Sequence, residues 1–176
     1  KETYTIDYEA LGLEVNSNYS EYFPSTNADE SAIYFTRKNR EGEDIWLSYK
    51  RNGKWIPAMQ IDKPEMENEM RYTSINTYDN DGAHTISPGG RHLFFTSCQR
   101  PGGRGSCDLY MVSKRGDEWR IPRLLPTVNS KAWESQPCIS ADAKKLFFVS
   151  SRSGGKGGSD IYVSTLGKGG FSSPRN

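Results

Sequence analysis

The sequence predicts an all-β fold assembled from β-propeller blades, each of four antiparallel strands, and three observations carry that prediction. Composition favours strands and turns over helices: ten Tyr, seven Phe and four Trp are punctuated by 17 Gly and nine Pro in 176 residues. An internal repeat aligns residues 16–36, 76–96 and 129–149 without a gap. After each copy the same order of short apolar segments returns, of a length that suits strands.

Each unit opens on Asn and a hydroxyl residue, Asn16-Ser17, Asn76-Thr77 and Asn129-Ser130, with an acid after them, Glu21, Asp81 and Glu134. These acids read as lying just before the first strand. A two-residue turn follows, centred on Ala28-Asp29, Pro88-Gly89 and Ala141-Asp142, residue types that bond their own backbone or preset turn dihedrals. The second strand holds Ile33-Tyr34-Phe35, Leu93-Phe94-Phe95 and Leu146-Phe147-Phe148, continuous apolar runs suited to burial on both faces. Beyond a variable loop the third strand begins at Asp44, Asp108 and Asp160. The fourth contains Pro57, Pro122 and Pro174, where proline removes a ladder donor and marks an edge.

The repeats run approximately over residues 11–60, 72–123 and 125–176 of one partial propeller domain, 1–176. Between the first two, IDKPEMENEMRY reads as a surface loop or a short helix, and near the start YTIDY reads as one more strand. Propellers close with about four to eight blades. The three visible units therefore read as part of a ring of about five to seven, completed by remaining blades or by a second chain.

Lys and Arg total 23 against 22 Asp and Glu, so no net field selects nucleic acid or an anionic membrane as partner. No apolar run reaches the roughly 18 residues that cross a bilayer. No direct membrane span is expected, and any export signal is expected outside this stretch. Three cysteines and two histidines lack the paired spacing of a zinc site, so no metal or other cofactor is expected.

His84 stands where sister repeats have Pro24 and Pro137, and His92 where they have Ala32 and Lys145, so neither reads as the base of a nucleophile pair and no catalytic residue is assigned. Asp44, Asp108 and Asp160 recur in every unit, as a loop-capping carboxylate would. Glu21, Asp81 and Glu134 are the candidate binding residues: gathered at one mouth of the channel they can hold a divalent cation or a basic peptide, whereas each bonded to its neighbouring Asn-Ser/Thr pair they are structural. Tyr19, Tyr78 and Trp133 fall near the same segments and suit inter-blade packing or a sugar platform.

The stretch SCQRPGGRGSCDLY (97–110) is glycine-rich enough to raise the question of a phosphate cradle. Its sister, SSRSGGKGGSDIY (150–162), answers it: both lead into a strand, not a helix, and read as hairpin connections. Cys98 and Cys107 replace Ser151 and Ser159 at the two ends of that loop, which predicts a disulfide and an oxidising compartment. Cys138, in register with Ser25 and Thr85, reads as a small buried thiol.

The run ISADAKKLFFVSSRSGGKGGSDIYVS (139–164), echoed by ISPGGRHLFFTSCQRPGGRGSCDLYMVS (86–113), resembles the PD40, or WD40-like, repeats of periplasmic TolB-type propellers. It is most similar to the propeller region of outer-membrane-associated OmpA-family proteins, among them a type IX secretion system component. The resemblance covers roughly residues 11–176 and is weakest in the first repeat, whose glycine loop is replaced by Arg37 to Gly42. It implies a non-enzymatic binding or scaffold module in the periplasm, outer-membrane associated, with envelope or secretion-system proteins as partners. The alternative is the propeller domain of a periplasmic hydrolase or polysaccharide lyase.

Overall fold

The computed structural model describes residues 10–62 and 73–176, and these form three consecutive antiparallel sheets. The first contains β1 (Ser20–Thr26), β2 (Ala32–Lys38), β3 (Glu43–Arg51), β4 (Lys54–Trp55) and β5 (Met59–Gln60). The second contains β6 (Asp81–Ile86), β7 (His92–Cys98), β8 (Cys107–Arg115), β9 (Glu118–Trp119) and β10 (Arg123–Leu124). The third contains β11 (Glu134–Ile139), β12 (Lys145–Ser150), β13 (Asp160–Gly167) and β14 (Gly170–Phe171), with a bridge from Val163 to Arg175 in the place of β5 and β10. YTIDY and positions 63–72 of the IDKPEMENEMRY stretch lie outside the described residues.

Each sheet is a blade, and the repeat explains its shape. The first two strands join through a four-residue turn closed by Asn27, Ser87 or Ser140, whose carbonyl accepts from the amide of Glu30, Gly90 or Ala143. The innermost strand carries one extra residue in every blade, Phe23, Ala83 or Gln136, held at positive φ in a bulge. The expected fourth strand is instead two short pieces around its proline: Ile56 still donates to Tyr49, then the ladder breaks and resumes at Met59. Pro57 and Pro122 sit in those breaks because they offer no N–H to continue them.

Side chains of the second strand alternate between two inter-blade cores. Leu93 and Phe95 pack with Tyr34, Ile45, Leu47 and Ile75 between the first and second blades. Phe94 turns the other way, meeting Leu146, Phe148, Tyr162 and Phe171 between the second and third. A polar clamp reinforces each core. Asn76 accepts from the Ile45 amide and donates to the Ile45 carbonyl, and Asn129 does the same at Leu109. Both backbone groups of a buried strand residue in one blade are thus satisfied by a side chain of the next.

Cys138 corrects an expectation. It is exposed, because beyond the Gln136 bulge it pairs with Phe147 on the face of the third blade that no further described blade covers. Its counterpart Thr85 sits at the second joint, where it accepts from the Ile139 amide.

Cys98 and Cys107 are directly opposed on β7 and β8 and form a disulfide. A loop of this size gains roughly 2–3 kcal/mol from closure. We therefore expect Cys98→Ser/Cys107→Ser to lower the unfolding free energy by about that amount in urea titrations, and non-reducing peptide mapping of exported protein to recover the two cysteines linked.

Candidate functional site

The acids Glu21, Asp81 and Glu134 lie within the first two residues of β1, β6 and β11, at the start of the strand rather than before it. Each is drawn into its own blade. Asp81 accepts from the Thr77 amide and hydroxyl, both at 2.6 Å. Glu134 accepts from the Ser130 amide at 2.8 Å and from the Ser130 and Ser150 hydroxyls, and Glu21 from the Ser17 amide and hydroxyl. The hydroxyl of the pair also closes a tight turn, accepting from the amide of Tyr19, Asp79 or Ala132.

The partner that sequence reasoning missed is an arginine. Arg37 meets Glu21 at 2.8 Å, Arg152 meets Glu134 at 3.1 Å and Arg100 meets Asp81 at 3.4 Å. Each guanidinium also donates at 2.7 Å to a backbone carbonyl, that of Val15, Ile75 or Val128, the residue just before the Asn of its repeat. Each lies against two aromatic rings of its own blade: Phe35 and Trp46, Phe95 and Tyr110, Phe148 and Tyr162. Stacking, ion pair and carbonyl satisfy a cation that burial would otherwise make costly.

A signal for these arginines was present in the repeat. Arg100 and Arg152 follow FFTSCQ and FFVSS and align once a single extra residue is allowed at Gln99, which takes up the insertion at positive φ. Arg37 escapes alignment because it stands on β2 in the place of Ser97 and Ser150. In the second and third blades those serines accept from the arginine Nε; in the first, Nε reaches Glu21 directly.

The glycine loops hold an anion of their own. The amides of Arg104 and Gly105 point at one carboxylate oxygen of Asp108, and those of Lys156 and Gly157 at Asp160. A Cβ on Gly103 or Gly155 would come within 2.6 or 2.1 Å of that carboxylate, so a side chain there would push the Asp out of its place against the loop amides. The nest that resembles a phosphate cradle is filled by the next strand's Asp. In the first blade Asn39 does this work for a shorter hairpin, accepting from Glu41 and Gly42, and Asp44 instead accepts from Gln60.

Of the two histidines His92 is exposed, whereas His84 is buried at the first joint. Among the described residues neither His84 ring nitrogen makes a well-formed hydrogen bond; the Tyr34 backbone gives weak support. Burial pulls its pKa down to about 4. Asp81 moves up, to about 6, because burial outweighs Arg100 and the bonds from Ser97 and Thr77.

An open cleft of about 200 Å³ lies where the three inner strands meet and is lined by every blade: Phe23 and Glu43 from the first, Asn80, Ala83 and Cys98 from the second, Trp133 and Gln136 from the third. The three bulge residues are among these, and unlike the acids they share no chemistry.

No protein-family model matches the sequence, and no curated protein matches it. Solved structures do. TolB from Acinetobacter baumannii superposes with a TM-score of 0.59 at 20% identity, over 91% of this chain and 33% of that one. A candidate TolB from Agrobacterium tumefaciens gives 0.57 at 16%, over 91% and 50%. A puromycin-hydrolyzing peptidase of Mycobacterium tuberculosis gives 0.52 at 12%, over 88% and 22%. The chain spans a third and a half of the two TolB structures, and the likeness establishes a TolB-like propeller fold.

Two outcomes test the buried groups. Arg100→Leu strands Asp81 without its cation and should lower the unfolding free energy by about 3–5 kcal/mol, whereas Arg91→Leu, at an exposed position, should change it by less than about 0.5. For His84 the unfolded ring takes its proton near pH 6.5 and the folded ring near 4, so acidification across that window removes stability. Asp81 acts oppositely, adding stability as pH falls through 6, and is common to both proteins compared. His84→Pro, the residue of the sister blades, should therefore gain about 2 kcal/mol on wild type between pH 7 and pH 5 in denaturant titrations.

Proposed function

We propose that this chain is a non-catalytic protein-binding or scaffold module of a cell-envelope protein, working in outer-membrane secretion or peptidoglycan-linked assembly. One observation carries the reading: the repeated acid and arginine groups are committed, in all three blades, to holding their own blade together, while the cleft between blades is lined by residues that differ. An exposed Phe23 beside Trp133 and Gln136 offers an aromatic and amide surface to a peptide segment of another protein. The Cys98–Cys107 disulfide supports an oxidising, periplasmic setting, and the TolB-like fold agrees with it.

Affinity capture from envelope extracts tests this. The expected result is a protein retained by the wild-type chain and lost with Phe23→Ala/Trp133→Ala at unchanged circular dichroism. Capture that ignores the double substitution, or no reproducible partner, refutes the binding role; hydrolase or lyase activity in the purified chain would replace it with the enzymatic reading.

A further inference from the structure

The turn between the first two strands is capped twice in the first and third blades and once in the second. In every blade the side chain that opens the turn accepts from the first amide of the second strand: Asn27 from Ala32, Ser87 from His92 and Ser140 from Lys145. In the first and third blades the turn's own Asp adds a bond one residue earlier, Asp29 accepting from the Ser31 amide at 3.1 Å and Asp142 from the Lys144 amide at 3.0 Å. A neighbouring hydroxyl and these amides hold both carboxylates below their ordinary pKa range.

In the second blade Gly89 stands where the sister turns have Asp. The Arg91 amide, the counterpart of those of Ser31 and Lys144, has no acceptor among the described residues, and a Cβ on Gly89 would meet nothing within 4 Å. The backbone there is shaped to receive a carboxylate, in open space, without the side chain that supplies one.

The surroundings fit that charge. The turn is seated against the first blade, where the Ala28 amide donates to the Pro88 carbonyl at 3.0 Å. Beside it an open cleft of about 530 Å³, a size usual for ligand sites, is lined by Tyr34 and Tyr49 of the first blade and by Arg91, Lys114 and Arg115 of the second, and no acid lines it among the described residues. The Lys114 amide donates to the Arg91 carbonyl at 2.8 Å, which sets the two basic residues side by side. Lys114 Nζ donates to Tyr49 Oη at 3.3 Å and lies against the Tyr49 and Trp119 rings. The acid paired with it, Asp117, is 3.9 Å away and fully exposed, so solvent screens that pair.

We propose that this cleft binds an acidic peptide segment of another protein. One Asp carboxylate of the segment accepts from the Arg91 amide, in the place that Asp29 and Asp142 take in their own turns, and the Arg91 guanidinium, Lys114 and Arg115 meet its charge and that of its acidic neighbours. A carboxylate on a short stem from a backbone is what the sister turns hold at this point, and that selects a peptide as the occupant. The site shares no lining residue with the cleft at Phe23 and Trp133 and is independent of it.

Calorimetric titration of the purified chain with an end-blocked peptide of alternating Asp and Gly tests this. Binding should weaken at least about tenfold when Asn replaces Asp in the peptide, and by a similar factor with Lys114→Gln/Arg115→Gln. Gly89→Asp is the discriminating variant: it gives the second turn the cap of its sisters, so circular dichroism stays unchanged while peptide affinity falls at least about tenfold, whereas Gly89→Ala retains it. Phe23→Ala/Trp133→Ala should bind the peptide as the wild type does; loss of binding there would move the peptide to the other cleft and overturn the proposal. No binding by the wild type, equal binding of the Asn peptide, or equal binding by Gly89→Asp also overturns it, as does displacement by acetate at matched carboxylate concentration, which assigns the site to a free small anion.

Discussion

A guanidinium taken out of water needs an anion and its remaining donors satisfied in the same place, and most of what is regular in this molecule follows from that requirement. Arg100 is nearly buried, and its charge is met by Asp81 at the start of the innermost strand, by the Ile75 carbonyl in the linker and by two ring faces. Three parts of the blade are thereby fixed to one another. The consequence passes to the next joint, because Ile75 immediately precedes Asn76, and Asn76 grips Ile45 in the blade before. Holding the Ile75 carbonyl sets where that Asn can reach. The arrangement recurs through Val128 and Asn129.

The first blade shows that the chemistry matters more than the position supplying it. Arg37 comes from β2 rather than from a hairpin loop, yet its guanidinium meets an equivalent carboxylate, an equivalent carbonyl and two equivalent rings. With the arginine placed on the strand, the long glycine loop has nothing left to deliver. The hairpin shortens, and one Asn side chain takes over the capping that Asp108 and Asp160 perform elsewhere.

This explains what was legible in the sequence. Strand order, the two-residue turns and the disulfide could be read because each depends on residues adjacent in one blade or on a direct comparison of two blades. Loop-capping by Asp108 and Asp160 was legible for the same reason: repetition in every unit marks a structural need. The acids were identified but their partners were not, since an ion pair such as Glu21 with Arg37 joins residues whose spacing changes from blade to blade. Cys138 was misjudged for a different reason. Its position within the strand matches Thr85, but burial there depends on the neighbouring blade, which a repeat alignment does not contain.

Repetition also separates architecture from recognition. A group present in three copies, each paired within its own blade, has its hydrogen-bonding and charge already spent, and it can discriminate among ligands only by giving up stability. The bulge positions obey the opposite rule. All three share the costly positive φ, which fixes a common backbone path along the inner strand, but the side chains placed on it are Phe, Ala and Gln. The backbone demand is therefore met without specifying chemistry, leaving those positions free to vary at the cleft where the three blades meet. A fold that confines its polar obligations to the blade interiors can change what it binds there without renegotiating how it closes.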